Sequence, residues 1–183
     1  MKLHLGCWHR NIPGFVNVDL CDMDHIDYKS SIDDLSMFDD DSASLIYSSH
    51  SFEYFNRIEA IDVLKEWGRV LRSDGLLRLA VPDFDALLKV YSETGSIEKI
   101  LGPLYGQMDI DTSTGRSTLY HRTVYNFDSL SNLLSKNGFR NIKRYDWRET
   151  IHKDYDDHSQ AYYPHMDKDK GLLISLNIEA IKI

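Results

Sequence analysis

Positive charge is scarce and nowhere concentrated: 21 lysines and arginines stand against 29 aspartates and glutamates in 183 residues, a net charge of -8. Nucleic acid is bound through massed positive charge, so this balance excludes it as a main partner. The small basic cluster from Arg140 to Arg144 reads as the solvated face of a strand. Only two cysteines occur, Cys7 and Cys21, with no partners at metal-ligand spacing. That argues against a zinc site or a disulfide framework and suits a reducing, cytoplasmic setting. No apolar run approaches the ~20 residues of a membrane span, and the first residues enter a strand pattern rather than a secretory leader. No G-x-G-x-x-G enters a helix after the first strand, which argues against a nicotinamide dinucleotide site. With no repeat and no low-complexity linker, the chain reads as one domain, residues 1–183.

What is present is an alternation of strands and helices. Residues 2–6, 15–20, 44–48 and 76–82 are β-type runs, with a weaker one around 25–29. Between the third and fourth strong runs, Ile58, Ile61, Leu64, Trp67 and Leu71 recur at helical spacing. Asn56 and Glu59 have the form of a capping pair, and Ser73-Asp74-Gly75 supplies a turn. A second helix is predicted from Asp83, with Phe84, Leu87, Leu88 and Tyr91 on one face. A third follows Asn126, with Phe127, Leu130, Leu133 and Leu134 inward and Gly138 past its end. The last two strands, near 140–147 and 172–183, lack a helix between them and are predicted to pair antiparallel at one edge. The rest implies a largely parallel α/β sheet, whose ligands bind beyond the carboxyl ends of the strands.

The residues just after the strands are therefore the candidates. Gly6, Cys7 and Trp8 follow the first, where a sharp turn or close approach needs a missing Cβ. Asp19 ends the second, and its carboxylate can accept hydrogen bonds from two ribose hydroxyls. Ser48, Ser49 and His50 follow the next strong run, and Pro82 and Asp83 follow the one after.

These stretches carry a resemblance. LHLGCWHRNIPGFVNVDL, DDLSMFDDDSASLIYSSHSFEYF and EWGRVLRSDGLLRLAVPDFD resemble, in order, segments of the class I S-adenosylmethionine-dependent methyltransferases. Within them they are similar to a small group linked to surface-sugar pathways. HRTVYNFDSLSNLLSKNGF and PHMDKDKGLLISLNIEAIK extend the likeness over nearly the whole chain. The resemblance implies a Rossmann-like, mostly parallel seven-stranded sheet with an antiparallel last strand and helices on both faces. It implies S-adenosylmethionine as cofactor and in-line methyl transfer to a small-molecule acceptor, a sugar or sugar nucleotide among the candidates. Gly6, Cys7 and Trp8 would face the methionyl part, Asp19 with neighbouring Leu20 the ribose, Ser31 and Ile32 the adenine, and Ser49 and His50 the sulfonium side. The sequence departs from the family at Trp8, which replaces a second Gly. It departs at Ser31, where an Asp is common and Asp33 or Asp34 can substitute, and at Tyr54, which replaces a His. Trp8 and Ser31 keep a second reading open, a non-catalytic protein of the same fold that binds the cofactor or a partner.

Methyl transfer asks the protein to align nucleophile and methyl group and to exclude water. A hydroxyl nucleophile gains from a base, for which His121, then His50, then Asp83 are the candidates. Tyr120, Arg122 and Tyr125 are candidates for an acceptor pocket. The polar stretch 148–170, rich in His and Asp, matches no metal motif and is expected to be a covering loop, with Tyr162, Tyr163 and His165 turned toward the site. No metal is assigned, and the oligomeric state is left open.

Overall fold

The computed structural model describes residues 1–112 and 115–183. Four strands, β1 (Lys2–Leu5), β2 (Val16–Asp19), β3 (Tyr28–Lys29) and β4 (Ala43–Ser49), precede the first helix, α1 (Glu59–Val70). Then come β5 (Leu71–Pro82), α2 (Phe84–Thr94), α3 (Glu98–Tyr105) and a hairpin of β6 (Met108–Thr112) and β7 (Gly115–Leu119). The chain ends with α4 (Phe127–Lys136), β8 (Phe139–Arg144), the short pair β9 (Tyr162–Tyr163) and β10 (Leu172–Leu173), and β11 (Ser175–Lys182). Seven strands form one sheet in the order β3-β2-β1-β4-β5-β11-β8. β11 runs antiparallel to both neighbours, and every other neighbouring pair is parallel. β1 lies between β2 and β4, so strand order reverses there and a crevice opens at its carboxyl end.

Period-two alternation divides the strands between two unlike faces. On one, Leu3, Leu5, Ile46, Leu77, Leu79, Leu176 and Ile178 pack with Val63, Leu64 and Trp67 of α1 and with Leu130 and Leu134 of α4. Trp67 is fully buried, and its indole N–H donates to the Ile32 carbonyl at 2.7 Å. On the other face lie His4, Tyr47, Arg78, Asn177 and Glu179. Among the described residues this face packs against Ile12, Phe15 and the segment 147–160 with its 3-10 turns. The connection from β1 to β2 has ten residues, Gly6–Phe15, which is shorter than a helical crossover requires.

The caps follow the sequence. Asn56 Oδ1 accepts from the Ile58 and Glu59 amides, and Glu59 accepts from the Asn56 amide at 3.0 Å. At α4, Asn126 and Ser129 satisfy each other's backbone amides in a capping box. Asn126→Ala is expected to cost about 1 kcal/mol, read by urea unfolding. On α2 the buried residues are Ala86, Leu87 and Val90, while Leu88 and Tyr91 stay exposed. The helical stripe is thus displaced from the predicted one. The short helix α3 and the β6–β7 hairpin have no counterpart in the sequence-based reading.

Candidate functional site

A cavity of about 520 Å³ opens at the carboxyl ends of β1, β2 and β4, a size usual for small-molecule and cofactor sites. Gly6 follows β1 with φ +67°, and a Cβ there would lie 2.1 Å from Ser51 Oγ and 2.6 Å from Ser51 Cβ. Gly6 N–H donates to Val18 O at 2.9 Å, and Ser51 Oγ–H donates to Gly6 O at 3.2 Å. Two residues later Trp8 adopts φ +43°, a left-handed conformation a side chain rarely takes. Asp19 holds it there: Oδ2 accepts from the Trp8 amide at 2.7 Å and Oδ1 from the Cys21 amide at 2.9 Å. His25 contacts the Trp8 carbonyl at 2.7 Å, and the indole is 37% exposed at the cavity's edge. The missing glycine is therefore replaced in conformation. Asp19 is buried and lines the cavity, and a carboxylate has acceptor sites beyond these two amide bonds.

All nine residues expected around the cofactor, Gly6, Cys7, Trp8, Asp19, Leu20, Ser31, Ile32, Ser49 and His50, line this one cavity. Ser31 donates to Asp33 Oδ1, and Asp34 Oδ1 accepts from the Ser36 amide. Neither Asp33 nor Asp34 lines the cavity, so the expected acidic substitute for the adenine contact is not in place. Ser49 donates to Asp157 at 3.3 Å, and His50, at φ +52°, is a second left-handed residue on the rim. Strained backbone of this kind gathers at ligand sites.

Of the three base candidates, His121 and His50 line the cavity and Asp83 does not. Asp83 caps α2, accepting from the Asp85 and Ala86 amides, and pairs with Arg144 at 3.0 Å. Its carboxylate is spent on structure. Tyr120, Arg122 and Tyr125 also lie away from the cavity lining: Tyr120 is exposed, Arg122 pairs with Glu59, and Tyr125 is buried against Phe52. In the polar segment, Asp157, His158 and Ala161 reach the cavity, rather than Tyr162, Tyr163 and His165. Tyr163 packs with Leu87 and Val90 of α2 instead. Among the described residues no group of three His, Cys, Asp or Glu side chains is arranged to hold a metal ion. Both thiols are free and buried; burial first, then Asp19, pushes Cys7 up, and does the same to Cys21, to about 12. Neither is a nucleophile near neutral pH.

Residues missed from the sequence complete the walls. Gly106, Met108, Ile110 and Leu119 bring the end of α3 and the hairpin over the cavity. Tyr54 Oη–H donates to Gly106 O at 3.4 Å, and its ring meets His121 edge-on at 4.8 Å. Behind the histidines lies Glu53, 1% exposed, its Oε1 3.6 Å from both His50 Nδ1 and His121 Nε2. Burial raises its carboxyl to about 8 and lowers both imidazoles. The tautomers follow from the partners. His121 Nδ1–H donates to the Pro103 carbonyl at 2.9 Å, which leaves Nε2 with a lone pair. Ser175 donates to Asn177 Oδ1, so it accepts from His50 Nε2–H at 3.0 Å and leaves Nδ1 with a lone pair.

Comparison with known proteins bears on the fold. Residues 16–79 match a family model described as a methyltransferase domain. The whole chain is similar in fold to a protein from Listeria monocytogenes assigned to the S-adenosylmethionine-dependent methyltransferases, at 20% identity and TM-score 0.54, covering 100% of this chain and 90% of that one. A SAM-dependent methyltransferase from Thermotoga maritima gives TM-score 0.60 at 14% identity, covering 100% and 82%. A Burkholderia thailandensis 1,6-didemethyltoxoflavin-N1-methyltransferase, solved with its acceptor and S-adenosylhomocysteine, gives 0.55 at 14%, covering 99% and 70%. No curated protein matches the sequence. The chain has the fold of the S-adenosylmethionine-dependent methyltransferases, and a methyltransferase-domain match lies over β2 to β5 at its centre.

Proposed function

We propose that this chain transfers a methyl group from S-adenosylmethionine to a small-molecule acceptor, a sugar or sugar-nucleotide hydroxyl. The observation that carries the cofactor assignment is Asp19. It sits beside the switch point, fixes the Trp8 turn with one oxygen and Cys21 with the other, and retains acceptor capacity for ribose hydroxyls. The other walls fit the rest of the cofactor: Ile32 and Leu20 are apolar surfaces for adenine, and Arg10 is the single Lys or Arg among the lining residues for a carboxylate. When bound, the cofactor supplies a methyl group already activated by its sulfonium charge. The protein then has to align the acceptor, exclude water under the β6–β7 hairpin and receive a proton. His121, with its Nε2 lone pair beside the cavity, is the base we assign; His50 is the second candidate. Among the described residues no helix is long and apolar enough to cross a membrane, and the acidic chain suits a small cytoplasmic acceptor rather than nucleic acid.

Calorimetry with S-adenosylmethionine and S-adenosylhomocysteine tests the assignment. Both should bind, and Asp19→Ala should weaken both by about 1.5–3 kcal/mol, the worth of hydrogen bonds to a charged group. No binding at millimolar ligand would sink the reading. Binding without product formation across a panel of sugars, phenols and amines would favour the non-catalytic alternative.

A further inference from the structure

Glu53 has no part in the reading above, and neither of its carboxyl oxygens has a hydrogen-bond partner although the side chain is 1% exposed. Burying an ionisable group with no partner is costly, and sites that keep one use it. What faces it is specific. The lone-pair nitrogens of His50 and His121 both lie 3.6 Å from Oε1, and both histidines line the cavity. Each ring is locked by its other nitrogen, one on Ser175 and one on Pro103. Among the described residues the Tyr54 and Tyr125 phenols also feel its charge, and His158 lies one step further out, its ring 5.2 Å from that of His50. Burial first and Glu53 as a further cause push both phenols up, so they stay neutral.

We propose that Glu53 stores the proton released by the acceptor, with His121 conveying it from the cavity. The proposal rests on the methyltransferase reading above. As the acceptor oxygen forms its bond to the methyl carbon, the S–CH3 bond breaks and its electron pair stays on sulfur. The O–H proton passes to His121 Nε2 and on to Glu53, whose carboxylate becomes a carboxyl. One positive and one negative charge disappear together, so the buried site ends neutral. Glu53 acts through His121 and is a positioning residue, not a catalytic one.

The prior step is readable without an acceptor. A cationic donor in the cavity favours the carboxylate, so binding it should expel the Glu53 proton; the uncharged product should not. Wild type and Glu53→Gln are titrated with S-adenosylmethionine and S-adenosylhomocysteine at pH 7, in two buffers of unlike ionisation enthalpy. The ligands' own amino groups titrate alike against both proteins, so the difference isolates Glu53. Wild type should release close to one proton more than the variant on binding S-adenosylmethionine, and should match it on binding S-adenosylhomocysteine. At pH 9 its preference for the cationic ligand should exceed the variant's by about a hundredfold, the counterpart in affinity of a fall of about two units in the carboxyl's pKa. Should the variant fail to fold, carbon NMR of wild type reads the same event: the carboxyl midpoint near pH 8 falls below 7 with S-adenosylmethionine alone. Equal proton release and equal preference in the two proteins would overturn the proposal while leaving the cofactor reading intact. Stabilisation of wild type but not of Glu53→Gln by 1 mM Mn2+ would overturn it too, making Glu53 a metal ligand. Failure of both ligands to bind either protein would overturn both readings.

Discussion

Gly6→Ala is expected to abolish cofactor binding and to destabilise the chain by about 3 kcal/mol, roughly 6–12 °C in Tm at this chain length. Two costs add. At φ +67° any Cβ is strained, by about 1–2 kcal/mol. The new methyl would also stand 2.6 Å from Ser51 Cβ, an atom that no rotation of the serine side chain can move. The Ser49–Ser51 loop must therefore retreat from the turn after β1, and these two segments form opposite walls of the cavity. Gly6→Ala combined with Ser51→Gly separates the costs. The double variant should recover the overlap part, about 1–3 kcal/mol, and keep the strain. Urea unfolding together with S-adenosylhomocysteine titration reads both effects; wild-type stability and affinity in Gly6→Ala would show that the turn is misread.

Glu53→Gln is expected to be more stable than wild type at pH 9, by about 3–5 kcal/mol, and equal to it near pH 4.5. Burial raises the carboxyl from 4.5 to about 8. A raised acid gives stability that is full below the unfolded value and lost as pH rises through the folded one. For Glu53 that window runs from about 4.5 to about 8. The buried imidazoles act in the opposite direction. Burial is the leading cause that lowers His4 and His152 from 6.5 to about 4. Their contribution is complete above 6.5 and is lost as pH falls through about 4. Wild type should therefore be most stable near pH 6–7, and the variant should keep the acid limb while losing the alkaline decline. Parallel stability profiles from pH 5 to pH 9 would mean that Glu53 is not held neutral.

The sheet was legible because two signals coincide in it. Apolar residues recur every second position in β1, β2, β4, β5 and β11, and Gly6 and Asp19 punctuate the first two strand ends. α1 was legible from its stripe and from the Asn56–Glu59 pair, which the structure joins by reciprocal hydrogen bonds. α3 was hidden because it is eight residues long with Pro103 inside it, and the hairpin because Met108, Ile110 and Leu119 are the few apolar residues that mark its inward face. Asp83 illustrates a different failure. An acid after a strand is equally the first cap of the following helix, and sequence does not say which use it serves. Glu53 was legible as a residue but not as a group, since nothing in HSFEYF reveals that its carboxyl is buried or that His121, 68 positions later, faces it. Asp157 and His158 reached the cavity through a segment whose tyrosines had the stronger claim on paper. Trp8 was the sharpest departure from the family pattern, and its part is played by the backbone: the amide on Asp19 carries the turn, while the indole lies at the rim.

The most direct test is a crystal structure grown with S-adenosylhomocysteine. The account predicts density for one ligand per chain in the 520 Å³ cavity, with both ribose hydroxyls on Asp19, adenine against Ile32 and the sulfur between the Gly6–Trp8 turn and His50. A ligand bound elsewhere, or this cavity without ligand at a saturating concentration, would contradict it.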